Sequence, residues 1–448
     1  MKVLAPTPHF ENALSKCRPT GDIVIELAYT EKRIAQCVQY RDLIKDKSLL
    51  DYKNRQKAAH NALAKINANT LFHQELTHIT VRGKSAYKFK DIEQDLVSRL
   101  IAKNIHVNYR IRQQNRDSLI KNLVGTLKEG APYNVFRFDI ETFYEKIDRE
   151  KLLVQLLNDG LCSRLTVSLI FEHFTQLKKQ NIHGLPRGLG ISATLSEFAL
   201  HGFDRAIREE SEIFFYGRFV DDIVLVTSPD FKKADAVALL DKNIFSGLQI
   251  HKKGKKISDL HAPKAVDSKN HVISKHHDFE YLGYQFRVFE KNRPRDSILG
   301  ISKRHVEIDI CSDKVEKISS RLISSFTSYL GGAGDARSFS LLENRVKALT
   351  GNFVIHDPVT SISIKTGIYY NYHEKNVRDN CSLIILDALL RGLLFSSTHK
   401  LSQRIQSKLD LSKRRKLVGY TFASGFYKRR LHRFTNEELK KLKEVWKK

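Results

Sequence analysis

The spacing of apolar residues changes character twice along the chain. Up to about Gly130 they recur mainly at helical intervals, and the stretch 115–127 places Leu119, Ile120, Leu123, Val124 and Leu127 on one helical face. From Pro132 the pattern becomes strand, helix, strand. NVFRFDI alternates like a strand and delivers Asp139 at its end, after which REKLLVQLLNDG predicts a helix opened by Asp148 and stopped at Gly160. GLPRGLGIS (184–192) reads as a glycine-rich loop leading into a helix with Leu195, Phe198, Ala199, Phe203, Ala206 and Ile207 on one face. In EIFFYGRFVDDIVLVTS an acidic pair is set between two runs of aromatic and β-branched residues, which predicts a β-hairpin carrying Asp221 and Asp222 at or beside its tip. KADAVALLDKNIF predicts a helix, LQIHKKGKKI a strand with a dense basic turn, and DFEYLGYQFRVF a strand pair. Beyond about Glu290 the periodicity is helical again, and a Thr435/Glu438 capping box opens the last helix.

Charge narrows the partners. The 448 residues carry 76 Lys plus Arg against 50 Asp plus Glu, a formal +26, and 41% hydrophobic residues suffice for a globular core. So large a positive charge repels itself unless a polyanion binds, and nucleic acid is the first candidate. An acidic membrane surface ranks lower: no apolar run reaches the length of a spanning helix, and MKVLAPTPHF lacks the apolar centre of a signal peptide. The five cysteines are scattered without a Cys-x-x-Cys pair, which excludes the commonest zinc and redox sites and suggests reduced thiols in a cytoplasmic protein.

Against that background the acids stand out. Adjacent carboxylates on a stiff hairpin repel each other unless a divalent cation lies between them and a third acid, and hard oxygen ligands suit Mg²⁺. Taken alone, the pair reads first as a solvated acidic turn. Asp139, at the end of another predicted strand, supplies the third carboxylate. Three acids at strand ends form the set that two-metal phosphoryl transfer requires.

At this point several stretches resemble reverse transcriptases. RFDIETFYEKID is similar to their first catalytic motif, HGLPRGLGISATLSE to the second, YGRFVDDIVLV to the third, LQIHKKGKK to the lysine-bearing fourth and FEYLGYQF to the fifth, the primer-grip hairpin, all in order from about Arg110 to Phe289. The resemblance implies an α+β right-hand polymerase: fingers and an N-terminal helical region in 1–131, an antiparallel palm in 132–290, and a basic helical thumb with its extension in 291–448. It implies RNA-directed DNA synthesis from a 3′ hydroxyl with dNTPs and two Mg²⁺ ions, for which Mn²⁺ can substitute. Asp139, Asp221 and Asp222 would be the catalytic acids, with the carbonyl of Ile140 a further metal ligand. Tyr144 would lie under the incoming sugar and block a 2′ hydroxyl; a buried core tyrosine is its plain alternative. Arg112, Arg116, Arg187 and Gly188 would contact the dNTP, while Phe219, Val220, Tyr281, Leu282 and Gly283 would meet template or primer. Of Lys252, Lys253, Lys255 and Lys256, Lys255 or else Lys253 would sit near the pyrophosphate as a general acid. Two departures concern specificity: Phe219 replaces the usual tyrosine, and Arg187 the usual glutamine that touches the nascent base pair.

GLPRGLG, RVKALTGNFV and KTGIYYNY are similar to bacterial reverse transcriptases of anti-phage defence, the unknown groups, and within them to the small enzyme of the two-enzyme, type-three system. That likeness implies a partner non-coding RNA, and leaves a second polymerase subunit or a homo-oligomer open. In KRRKLVGYTFASGFYKRRLHRF, Tyr420, Phe422, Phe426 and Tyr427 fit base stacking or an ordinary core equally well. Two rivals remain: an inactive palm that binds RNA as a scaffold, and a palm-fold nucleotide cyclase, which would need no primer.

Overall fold

A computed structural model describes residues 28–81, 83–111, 113–251, 258–262, 276–292, 303–356 and 363–446. The chain forms two compact units, one from 1–116 with 133–261 and the other from 117–132 with 262–448. Both mix helices with largely antiparallel sheets, the α+β class expected.

In the first unit, short helices are followed by a hairpin of β1 (Thr77–Val81) and β2 (Lys84–Lys88), in a region whose periodicity predicts mainly helix. The helix Ile92–Asn108 comes next and packs on Gly190–Ala199. The central sheet has the order β4-β5-β3-β6, from β3 (Tyr133–Asp139), β4 (Ile213–Phe219), β5 (Asp222–Thr227) and β6 (Ser258–Ala262). Strand β3 is buried at all but one position, so its apolar side chains are covered on both faces. The helix after it starts where predicted. Asp148 accepts from the amides of Glu150 and Lys151 at 3.0 and 3.1 Å, satisfying donors with no intrahelical partner, and Gly160 caps the C-terminus. The single apolar face read across 195–207 is divided between two helices, Gly190–Ala199 and His201–Arg208, which break at Leu200.

The second unit contains an antiparallel sheet of β7 (His276–Tyr281), β8 (Tyr284–Asn292) and β9 (Arg304–Ile310). β7 and β8 are joined by Leu282 and Gly283 with φ of +48° and +83°, the left-handed pair that a type I′ hairpin turn requires. Helices Ser312–Leu330, Ala336–Thr350 and Ser382–Phe395 enclose a core that includes Leu322, Phe326, Leu342, Val346, Leu386 and Phe422. Strands β10 (Asn352–His356), β11 (Ser363–Gly367) and β12 (Leu431–His432) interrupt a region expected to be helical. Buried Asn352 explains their meeting: its side chain donates to the carbonyls of Gly425 and Arg430 and accepts from the Tyr369 amide, tying three remote segments together. The C-terminal aromatics divide between their two readings. Phe422 and Phe426 are core, Tyr420 donates to Glu343 at 2.8 Å, and Tyr427 is exposed.

The Thr435/Glu438 capping box is present. Cys37, Cys162, Cys311 and Cys381 are free thiols, and Cys17 lies outside the described residues. Among the described residues no single helix is long and apolar enough to cross a membrane.

Candidate active site

The register of the central sheet assembles the acids. Asp139 pairs with Asp222 across β3 and β5, and Phe219 pairs with Asp222 across β4 and β5, so Val220 and Asp221 alone form the turn. Val220 has φ +62°, a conformation that a β-branched residue adopts at a cost of about 1–3 kcal/mol. The tip is held from two sides. Arg218 Nη1 donates to the Val220 carbonyl at 2.9 Å, and the Ile140 amide donates to the Asp221 carbonyl at 2.9 Å. Asp139 is buried, whereas Asp221 and Asp222 are half-buried.

Two arginines support this tip from within the sheet. Arg218 is 3% exposed and lies between Glu197 and Asp204, at 2.6 and 2.7 Å, while the Tyr216 hydroxyl also donates to Asp204. A guanidinium so deeply buried is tolerable only because both carboxylates and the Val220 carbonyl satisfy it. Sequence reasoning did not single out this cluster, although a signal existed: Arg218 is charged within an apolar strand run, and Glu197 and Asp204 lie seven apart in an apolar helical stretch. Arg137, also not singled out, donates through Nε and Nη2 to the two oxygens of Asp222 at 2.9 and 3.0 Å. Burial pushes the Asp222 carboxyl up, Arg137 opposes that, and the neighbouring charges of Asp139 and Asp221 add to the rise, so the net shift is upward.

Among the described residues no three His, Cys, Asp or Glu side chains are arranged to hold a metal ion as they stand. The donor set nevertheless has the right chemistry, with hard carboxylate oxygens at adjoining strand ends of one sheet.

Tyr144 adjoins the same turn. Burial raises its phenol, and it feels the charge of Asp221. The Arg187 guanidinium stands 5.1 Å from its ring centroid and forks onto Glu145 at 2.6 and 3.0 Å. Burial alone would raise the Glu145 carboxyl; Arg187 outweighs it and holds that carboxyl low. The glycine-rich loop is pinned on both sides. The Leu185 amide donates to the Tyr144 carbonyl at 2.7 Å, and the Tyr87 amide of β2 donates to the Arg187 carbonyl at 2.7 Å. Gly188 has φ +96°, and a Cβ there would meet the Tyr87 carbonyl at 2.7 Å, so this contact requires glycine. Beside it lies a cavity of about 430 Å³ lined by Arg41, Lys45, Lys84, Lys88 and Arg187 together with Tyr87. Asp95, paired with Arg41 at 3.5 Å, lines it too, and Arg187 is forked onto Glu145, so the lining is cationic on balance, a charge that suits phosphate groups.

The first unit thus brings together Asp139, Ile140, Tyr144, Arg187, Gly188, Phe219, Val220, Asp221 and Asp222. Arg116 opens the helix Arg116–Leu127. Tyr281, Leu282 and Gly283 form the hairpin end in the second unit, where Tyr281 is fully buried and the turn pair is half-buried. Arg112, Lys252, Lys253, Lys255 and Lys256 lie outside the described residues.

The family described as reverse transcriptase (RNA-dependent DNA polymerase) matches residues 49–286, more than half of the chain. No curated protein matches the sequence significantly. Among solved structures, apo telomerase from Candida tropicalis, truncated from its C-terminal domain, aligns at 12% identity and TM-score 0.31, covering 48% of this chain and 53% of that one. Telomerase from Candida albicans, in complex with a TWJ fragment of telomeric RNA, aligns at 12% identity and TM-score 0.32, covering 83% and 61%. The chain therefore spans less than two thirds of either telomerase chain.

Proposed function

The chain belongs to the reverse transcriptase family, RNA-dependent DNA polymerases, and from that premise we propose that the acids on β3 and the β4–β5 turn are its catalytic centre. The observation that carries this reading is the pairing of Asp139 with Asp222, next to an Asp221 whose carbonyl is fixed by the Ile140 amide. Members of the family generally depend on divalent metal. Asp139, Asp221 and Asp222, with the Ile140 carbonyl, would hold two Mg²⁺ ions, which when bound supply activation of the 3′ hydroxyl and charge neutralisation at the pyrophosphate.

The chain's own residues do the positioning. Tyr144 walls the sugar side of the incoming nucleotide and selects against a 2′ hydroxyl. Arg187 and Gly188 form a fixed edge beside the nascent pair, with Phe219 and Val220 under the primer end. Arg112, Arg116 and a lysine of the 252–256 segment, Lys255 first, meet the triphosphate; the cation-lined cavity offers further phosphate contacts. Tyr281, Leu282 and Gly283 form the primer-grip hairpin, in which the turn pair supplies the accessible surface. The fingers, palm and thumb occupy 1–131, 132–290 and 291–448. The reading extends to a cytoplasmic enzyme of anti-phage defence that copies a partner non-coding RNA, supported by the +26 charge and the motif likeness.

The test is incorporation of labelled dNTPs by purified protein on a primed RNA template with Mg²⁺. Asp221→Asn should reduce incorporation by about a thousandfold or more with the circular dichroism spectrum unchanged; undiminished synthesis would refute the assignment. One observation favours a second reading, a palm that binds RNA without polymerising: Arg137 already engages both oxygens of Asp222. RNA binding by wild-type protein with no incorporation of any dNTP would select it.

A further inference from the structure

Arg137 and Asp139 lie two apart on β3 and leave the same face of the strand. Their partners on β5 are Val224 and Asp222, so Arg137 stands diagonally across from Asp222, a separation that a long side chain can bridge. The resulting contact is a two-pronged fork with both side chains less than a fifth exposed, 18% for Arg137 and 17% for Asp222. It is made beside the Asp139–Asp222 pair and the Asp221 turn, whose charges Asp222 feels. Three carboxylates so close would repel one another in the absence of a cation, and the sheet would have to absorb that repulsion.

We propose that Arg137 is an internal counter-ion of the acid cluster: it occupies the Asp222 carboxylate when no metal is bound, keeps the cluster assembled, and competes with incoming divalent cations. The fork engages the carboxylate oxygens that a cation would approach, and its positive charge opposes a second one nearby at short range. Arg137 is therefore a positioning residue. Cation occupancy is tuned by it, so that tight binding awaits a further negative charge, such as that of a nucleotide triphosphate. The proposal rests on the reading of these acids as a metal site, but not on turnover.

The test uses full-length protein with neither nucleic acid nor nucleotide, at low ionic strength. Free Mn²⁺ is titrated by electron paramagnetic resonance, and thermal unfolding is followed with and without Mn²⁺. Arg137→Gln should melt at a lower temperature than wild type without Mn²⁺, bind Mn²⁺ roughly five- to tenfold more tightly, and gain more in Tm when Mn²⁺ is added. Arg137→Lys keeps the charge without the fork; it should fall between the two and carries the same comparison if the glutamine variant does not fold. Asp221→Asn should remove the titrated ion. Equal or weaker Mn²⁺ binding in the Arg137 variants would overturn the proposal, as would a stoichiometry unchanged by Asp221→Asn. Failure of the polymerase reading would show separately, as absence of dNTP incorporation by wild-type protein whose Mn²⁺ titration is as expected.

Discussion

Asp222 in the first unit and Glu343 in the second are both carboxylates beside cations, yet their environments push them in opposite directions. Glu343 accepts from Lys347 at 2.7 Å, Lys416 at 2.9 Å and the Tyr420 hydroxyl at 2.8 Å. Burial would raise its pKa, but these donors outweigh burial and hold it down to about 2. At Asp222 burial is the largest influence and raises the pKa, the Arg137 fork opposes it without outweighing it, and the neighbouring Asp139 and Asp221 add to the rise. The first arrangement is electrostatically complete and explains itself as structure. The second keeps a net upward shift despite its guanidinium fork, because burial and the neighbouring acids outweigh it. Proximity to basic residues therefore does not by itself identify a functional acid; burial and neighbouring carboxylates have to be weighed with it.

The contrast can be attacked at several points. The largest effect is expected from Arg218→Leu, which leaves Glu197 and Asp204 buried without their guanidinium and releases the Val220 carbonyl. Urea unfolding should show a loss of about 3–5 kcal/mol, and a loss below about 1 kcal/mol would mean that the cluster does not support the hairpin.

Glu343 comes next. Its folded-state pKa lies below its ordinary value of 4.5, so its contribution is fully present above that value and fades as pH falls toward about 2. The full contribution is about 3 kcal/mol. Glu343→Gln should lose stability of that order at pH 7 and flatten the acid limb of the stability profile between pH 4.5 and 2; a variant with the wild-type limb would show the three-donor node to be energetically idle.

Asp222→Asn should have the smallest effect on stability, without the loss expected of Glu343→Gln. Because the folded protein disfavours the Asp222 charge, the metal-free variant should be within about 1 kcal/mol of wild type or above it, while synthesis is lost. A clear drop in metal-free stability would show Asp222 to be as satisfied as Glu343 and would erase the distinction.

Much of the candidate site could be read from residues alone. Strand β3 and the β4–β5 hairpin follow from runs of β-branched and aromatic residues, and the adjacent acids that divide the second run mark where its turn falls. The helix between Asp148 and Gly160 was equally legible, since a cap and a stop are local signals. What local signals cannot express is pairing between remote segments. The β1–β2 hairpin and strands β9 to β12 lie where helical spacing predominates, and β10 acquires its partners through Asn352, whose contacts lie 15 or more residues away in the chain. The same limit hid Arg137 and Arg218. In the sequence each is a charge within an apolar run; only the strand register puts Arg137 diagonally across from Asp222, and only the tertiary packing that lays the helix His201–Arg208 on β4 brings Glu197 and Asp204 to Arg218. Sequence thus determined which acids are present and on which strands, because strand-forming tendency is set by neighbours in the chain. Tertiary structure alone decided which charges those acids face, because electrostatic energy depends on distance through space.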